Sequence, residues 1–420
     1  MPKMPQGLFA LCFVLTIFLT SMPGPVRADD DDTRFLLERT RRAAQQAATG
    51  PQGDLVIPAG ALLYEGQVYE VRSTVADLEP AIYIAINTGQ WDRLPDFLGR
   101  YRLLRKHRPA LVAMADGLLA RRQGDYGLAL LHLAAAHAAE PEDLRIRLEL
   151  ARLRFEDNQE TQARADFSHA LTLELPDQAR MMAQQYLQAL DARASWHGSV
   201  AAGVGYNSNI NQANGSYACF LEFEGFCAFE RSMPQPIHSN MLNYELSLQR
   251  RFHVAGNHNV LIRPVSYGQY FRRDNKASGS NISDYSRNTT LLHVGYNWLS
   301  ARDNVSVMPY LEHHYRNRHS DYLAKGIQLE WLHSLSDRWQ LGSSLDGKRY
   351  SHTEHGLQLE GDYSQYQLGV SATFAARAGT TLYGGLDVTR KRYAVEQASS
   401  KDWALRTGIY HAFAGDAAFT

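Results

Sequence analysis

The side chains with the widest chemical reach here are sixteen histidines and three cysteines. His313-His314 invites a metal or heme site, but neighbouring residues on a strand face opposite sides and cannot chelate one ion. His352 and His355 also face apart on a strand; in a loop they could approach, but no third ligand stands near them. A hydrolase needs a Ser activated by a His that a third group orients. Ser and His are plentiful, but none falls in a recognisable motif. No Gly-rich phosphate loop opens a helix. The reading therefore names no catalytic residue, no cofactor and no metal. Cys12 falls in the N-terminal apolar run, which leaves Cys219 and Cys227 in one long loop. In an oxidising compartment, two cysteines so close are expected to pair, the alternative being two free thiols. Zinc would want four ligands, and no His pair is near.

These residues must be carried by some frame, and from Trp196 to Phe419 that frame alternates with period two. Tyr366, Leu368, Val370, Ala372 and Phe374 fall on one face, and Gln367, Gly369, Ser371 and Thr373 on the other. Leu292, Val294, Tyr296 and Trp298 likewise oppose His293, Gly295 and Asn297. Tight turns at 255–258, 301–304, 336–337 and 377–380 alternate with longer polar stretches at 211–240, 274–288, 317–323, 352–364 and 396–402. Short turns on one side and long loops on the other mark an antiparallel transmembrane β-barrel, with about ten strands visible. Aromatics near strand ends, Tyr310, Trp331, Trp339, Tyr393 and Trp403 among them, are expected to form interfacial girdles. Glu330, Asp346, Lys348, Arg390, Arg392 and Arg406 are expected on the inner face. A soluble β-sandwich also alternates; the loop asymmetry and the export signal favour the barrel.

From Leu78 to Ala192 the period becomes 3.6. Gly117, Ala129, Leu133 and Ala136 recur 34 positions later as Ala151, Ala163, Phe167 and Ala170, which is the tetratricopeptide period. Gly124-Asp-Tyr126 marks the turn between paired helices, and Gly89-Gln-Trp91 looks like the same turn in a divergent unit. The fold class is thus α + β multidomain: helical repeats, then a barrel. The repeat register places Leu111, Met114, Leu118, Arg121 and Arg122 on a concave face, with Arg145, Leu148, Arg152, Phe155 and Glu156 from the next repeat. Arg beside apolar side chains suits a peptide segment with acidic and apolar positions.

Lys3, the apolar run Gly7–Thr20 and Val26-Arg-Ala28 read as a secretory signal, too short to span a membrane as a helix. The expected division is signal peptide 1–28, leader or linker 29–74, helical domain 75–194 and barrel 195–420. Net charge is −1, which gives no support for nucleic-acid binding.

At the junction, Ala189-Leu-Asp-Ala-Arg-Ala-Ser-Trp196 leads into Gly203-Val-Gly-Tyr-Asn-Ser-Asn-Ile-Asn-Gln-Ala213. This stretch resembles the surface lipoprotein assembly modulator (Slam) family, as does Leu144-Arg-Ile-Arg-Leu148 through Phe155-Glu-Asp-Asn-Gln159. The resemblance runs from about Leu78 to the end. It implies a non-enzymatic outer-membrane translocon with a periplasmic repeat domain and a fourteen-strand barrel. Its client would be a surface lipoprotein or a secreted heme-binding protein, bound in the groove named above. Periplasmic chaperones, the barrel-assembly machinery and outer-membrane lipid would be its other partners. Ten strands before Thr420 fall short of fourteen, so the expectation is a truncated chain or uncounted strands. The rival readings are a polysaccharide exporter, which usually carries a longer repeat array, and a barrel lipase or acyltransferase. One expectation can be checked directly: non-reduced protein should show no alkylatable thiol at Cys219 or Cys227, and two alkylated residues would contradict the pairing.

Overall fold

The computed structural model describes residues 71–223, 226–271, 281–316, 318–357, 361–377 and 379–412. It also gives the backbone of two short pieces, Leu63–Tyr64 with Gln67–Val68, and Ala418–Phe419. The expected signal peptide, 1–28, and most of the expected leader, 29–74, lie outside the described residues.

The helices are α1 (Val75–Asn87), α2 (Leu94–Arg102), α3 (Pro109–Gln123), α4 (Tyr126–Ala139), α5 (Leu144–Glu156), α6 (Glu160–Ala170) and α7 (Asp177–Arg193). Their starts are written in the sequence. Thr74 accepts from the Asp77 amide, Asp125 from Leu128, and Asp143 from Arg145 and Ile146, each satisfying amides that a helix N-terminus leaves unpaired. All eight residues of the 34-position repeat are buried. A methyl group on Gly117 would sit 2.9 Å from Leu133 Cγ and 3.1 Å from the Ala129 carbonyl, so a side chain there would push α3 and α4 apart. Phe167 stacks on Tyr186 at 4.7 Å and ties α7 to the last pair.

The helix-to-helix turns repeat as well. Gly89, Gly124 and Asn158 end their first helices with positive φ (67°, 78° and 60°). Left-handed backbone is cheap for Gly and tolerable for Asn. These turns therefore lie at one end of the stacked pairs, as the expected Gly89 and Gly124 turns require.

The strands are β1 (His197–Asn207), β2 (Tyr217–Phe223), β3 (Phe226–Ser232), β4 (Ser239–Ala255), β5 (His258–Phe271), β6 (Arg287–Leu299), β7 (Asp303–Arg316), β8 (His319–Ser334), β9 (Trp339–His352), β10 (Tyr363–Arg377), β11 (Thr380–Tyr393), β12 (Ser400–Ala412) and β13 (Ala418–Phe419). One antiparallel sheet runs β1-β4-β5-β6-β7-β8-β9-β10-β11-β12-β13, and β2 pairs with β3 in a separate hairpin. Among the described residues β1 and β13 are the two edges of the sheet, which has eleven strands against the fourteen that the resemblance implies. Asn317 to Leu323, expected to be a long loop, is mostly strand. β8 begins at His319, and the irregularity is a bulge between Ser320 and Tyr322.

The expected faces are present. Leu292, Val294, Tyr296, Ile327, Leu329, Trp331, Leu368 and Val370 are exposed on the outer face, while His293, Asn297, Ser306, Glu312 and Gln365 are buried within. Four assignments need correcting. Tyr310 turns inward to Asp346, and Tyr393 stacks inward on Tyr363 at 4.6 Å, so neither belongs to an outer girdle. Arg390 and Arg392, expected inside, share the parity of the exposed Leu382 and Leu386; Asp387 between these positions is the buried one. An apolar outer face over a polar inner one is the wall of a membrane barrel. Val370 is 50% exposed at the middle of β10. Val370→Arg should therefore cost roughly 2–4 kcal/mol in lipid and abolish heat-modifiable barrel. Gln367→Arg, on the inner face across from Asp346, should be tolerated; equal losses would show the faces inverted.

Candidate functional site

Histidine chemistry does not assemble. His313 is exposed beside Ser320 Oγ at 2.9 Å, and His314 turns inward to Thr289 Oγ1 at 2.9 Å. His352 faces Asp362 at 3.4 Å, whereas the His355 ring lies 5.2 Å from that of His319. Among the described residues no group of three or more His, Cys, Asp or Glu side chains could hold a metal ion. Cys219 and Cys227 are joined as a disulfide across the β2–β3 hairpin, with Cα atoms 5.9 Å apart.

The expected groove residues divide by chemistry. Leu111, Met114, Leu118, Leu148 and Phe155 are buried, none more than 7% exposed, and form the packing between successive helices. That corrects their expected place on an open face. An apolar side chain on the inner helix of one pair is needed to hold the next pair. Arg121 grips Glu156 with two bonds of 2.6 Å, and Arg152 reaches the same carboxylate at 3.1 Å. Burial opposes the charge on Arg121, but the bonds to Glu156 outweigh it and raise its pKa. Burial raises the Glu149 carboxyl, against the pull of Arg152, Arg145 and Arg121. Arg145 stands 4.9 Å over the Tyr83 ring, and Arg122, exposed, 5.5 Å over Trp91. Of the four arginines among them, Arg122 alone is exposed; the Arg145 guanidinium also donates to Asn87 Oδ1.

The feature that sequence reasoning missed joins the two domains. The α5–α6 turn is seated between two short turns of the sheet. Asn257, in the β4–β5 turn, donates to the Asp157 carbonyl, and the Ala301 amide of the β6–β7 turn donates to Asp157 Oδ1 at 3.0 Å. Asn158 donates to the Ser300 carbonyl at 3.0 Å. Glycine at position 158 would supply the same backbone but not this bond. Two residues further on, Glu160 pairs with Arg251 of β4 in a largely buried site. Arg302 reaches the Gln123 carbonyl beside Gly124, so the preceding repeat's turn meets the same end of the sheet. Arg193, closing α7, donates to the Phe155 carbonyl at 2.9 Å and lies 3.6 Å over the Phe155 ring. Burial holds its pKa down to about 10, still charged at neutral pH, with Glu160 opposing the shift. All of these contacts lie at the short-turn end.

Inside the sheet, charged side chains bridge strands that are not neighbours. Arg263 on β5 donates to Glu330 on β8 at 3.1 Å, and Ser306 donates to the same oxygen. Lys348 on β9 reaches Glu312 on β7 at 3.2 Å, and Tyr310 donates to Asp346 at 2.9 Å. These last two bridges cross β8 where its inner face carries Ala324 and Gly326. A Cβ on Gly326 would lie 2.3 Å from the Tyr310 ring. Such links tie together strands that do not pair with each other, across the inner face.

If the joint is as described, Glu160→Ala should leave Arg251 without its counter-charge and cost about 3 kcal/mol. The charge-swapped pair, Glu160→Arg with Arg251→Glu, should recover much of that loss in limited proteolysis of the inter-domain junction. A double-mutant cycle with no coupling would place the two side chains apart.

The model of the surface lipoprotein assembly modifier family matches residues 196–419, and that of the same family's N-terminal tetratricopeptide repeats matches residues 65–167. The chain is 26% identical to the hemophilin secretion modulator of Acinetobacter baumannii, over 93% of this chain and 81% of that protein. It is 24% identical to surface lipoprotein assembly modifier 2 of Neisseria meningitidis, over 80% of this chain and 69% of that protein. With surface lipoprotein assembly modifier of Pasteurella multocida it shares 22% identity, over 71% and 58% of the two chains. Matched by both models in chain order, across repeats and sheet alike, the protein belongs to the surface lipoprotein assembly modifier family.

Proposed function

We propose that this chain is an outer-membrane translocon that receives an exported client protein in the periplasm and delivers it to the cell surface. The observation that carries the reading is the seating of the repeat turns on the short-turn end of the sheet. Short turns face the periplasm in outer-membrane barrels. The joint would hold the helical domain there, at the mouth through which a client enters. The relatives' names supply the client class: a surface lipoprotein, or a secreted protein of the hemophilin kind. In this reading the helical domain contacts its client through side chains that the packing leaves accessible, Arg122 among them. Arg121 instead holds α3 to α5 through Glu156, and Arg152 on the same helix steadies that carboxylate. Periplasmic chaperones and the barrel-assembly machinery are the expected upstream partners. Catalysis has no part in this account: transport is attributed to binding and passage.

The test is surface display. The full chain is expressed in an outer-membrane host with a lipoprotein or secreted protein encoded beside its gene, and client exposure is read by external protease. Display should depend on the chain and fall severalfold with Asp157→Ala plus Asn257→Ala, while the barrel remains heat-modifiable. Equal display with and without the chain would sink the translocon reading.

A further inference from the structure

The outer face of β8–β12 carries a basic row that the transport reading does not use. Lys325, Arg349, Arg390, Arg392 and Lys401 are all exposed and share parity with the apolar residues of that face. The sheet register makes them a patch. Lys325 lies directly across from Arg349, and Arg390 directly across from Lys401. Ser364 on β10 bridges the two pairs, opposing Arg349 on one side and Arg392 on the other. Neighbouring strands are about 4.8 Å apart, so the row is continuous.

Three observations say what the row faces. First, it sits at the long-loop end, just beyond the apolar band of Ile327, Leu345, Leu368 and Leu386. Second, the outward positions of these strands from Leu323 to Trp331, Trp339 to Ser351, Ser364 to Phe374, Thr380 to Arg392 and Lys401 to Ile409 include no acid. Like charges directly opposed on a sheet repel, so two such pairs without an acid favour an external anion. Third, among the described residues the row is confined to one side of the wall. Among the described residues the outward positions at the same level of β4–β6 carry no charge: Tyr244 stacks on Tyr270 at 5.7 Å, and Asn288 donates to the Tyr270 hydroxyl. Lys401 rests 4.7 Å over the Trp403 ring, which lets its stem lie on apolar surface while the ammonium stays at the membrane boundary.

We propose that this row binds the phosphate groups of lipid headgroups in the leaflet at the long-loop end. The inference rests on the outer-membrane reading above. Bidentate guanidinium–phosphate bonds suit the three arginines, and the two lysines add point charge. An acidic protein segment would also be attracted, but the patch borders the lipid-facing band, which membrane lipid already covers.

The full chain is reconstituted in vesicles of phosphatidylcholine carrying either a bisphosphorylated glycolipid or its dephosphorylated counterpart. Lipid retained on the extracted protein is measured by native mass spectrometry. Wild type should retain the phosphorylated form about tenfold better. Changing all five residues to Gln should erase the preference, and Arg390→Gln with Lys401→Gln should reduce it. Millimolar inorganic phosphate should not displace the lipid. Equal retention of the two lipids by wild type overturns the proposal. So does displacement by inorganic phosphate, or a five-residue variant that keeps the preference but loses capture of an acidic client. A heat-modifiable chain that displays its client without phosphate preference overturns this inference alone. Failure to insert into either vesicle overturns the membrane reading with it.

Discussion

The α5–α6 turn must be held against the sheet for the two domains to work as one. Asp157 uses its carbonyl and its carboxylate on two different turns of the sheet, and Asn158 spends a left-handed backbone position to aim its amide at a third group. Those bonds satisfy turn carbonyls and amides that docking removes from water. A buried unpaired group would cost about 1–3 kcal/mol, so these bonds favour this register. Repeat stacking then fixes where every other helix stands, because each pair contacts only its neighbours.

The sheet answers a different constraint. In lipid, backbone groups must be paired along the wall, and outward side chains must be apolar. The inner face is free to be polar, and here its charges neutralise each other across the curve: Arg263 with Glu330, Lys348 with Glu312. Ala324 and Gly326 leave the space for those bridges. A wide aqueous lumen along β5–β9 is not what these buried pairs describe; that side of the wall is lined by a dense polar layer.

Periodicity made most of the fold legible. Alternation named the strands and their faces because one residue of slip would turn every side chain over. The 34-residue spacing named the repeats because Gly117 and its counterparts are all needed where helices touch. The groove was misread for the same reason: spacing says which helix face a residue occupies, not whether the next repeat covers it, and Leu111 and Met114 are covered. Arg390 and Arg392, expected inside, lie on the outer face. At a strand end the side chain reaches the interface, so parity, not charge, was the better guide. The joint left no local signal, since its partners stand 91 to 179 residues apart. The one hint was Asn158 at the position where the preceding repeats have Gly89 and Gly124.

The central claim is that the repeats are fixed on the periplasmic end of the sheet while the client passes. It is tested most directly by Asn158→Cys with Ser300→Cys in cells that display the client. The account predicts that the two thiols cross-link in the native outer membrane and that display continues after oxidation. Failure to cross-link in heat-modifiable protein, or loss of display on oxidation that a reductant reverses, would contradict it.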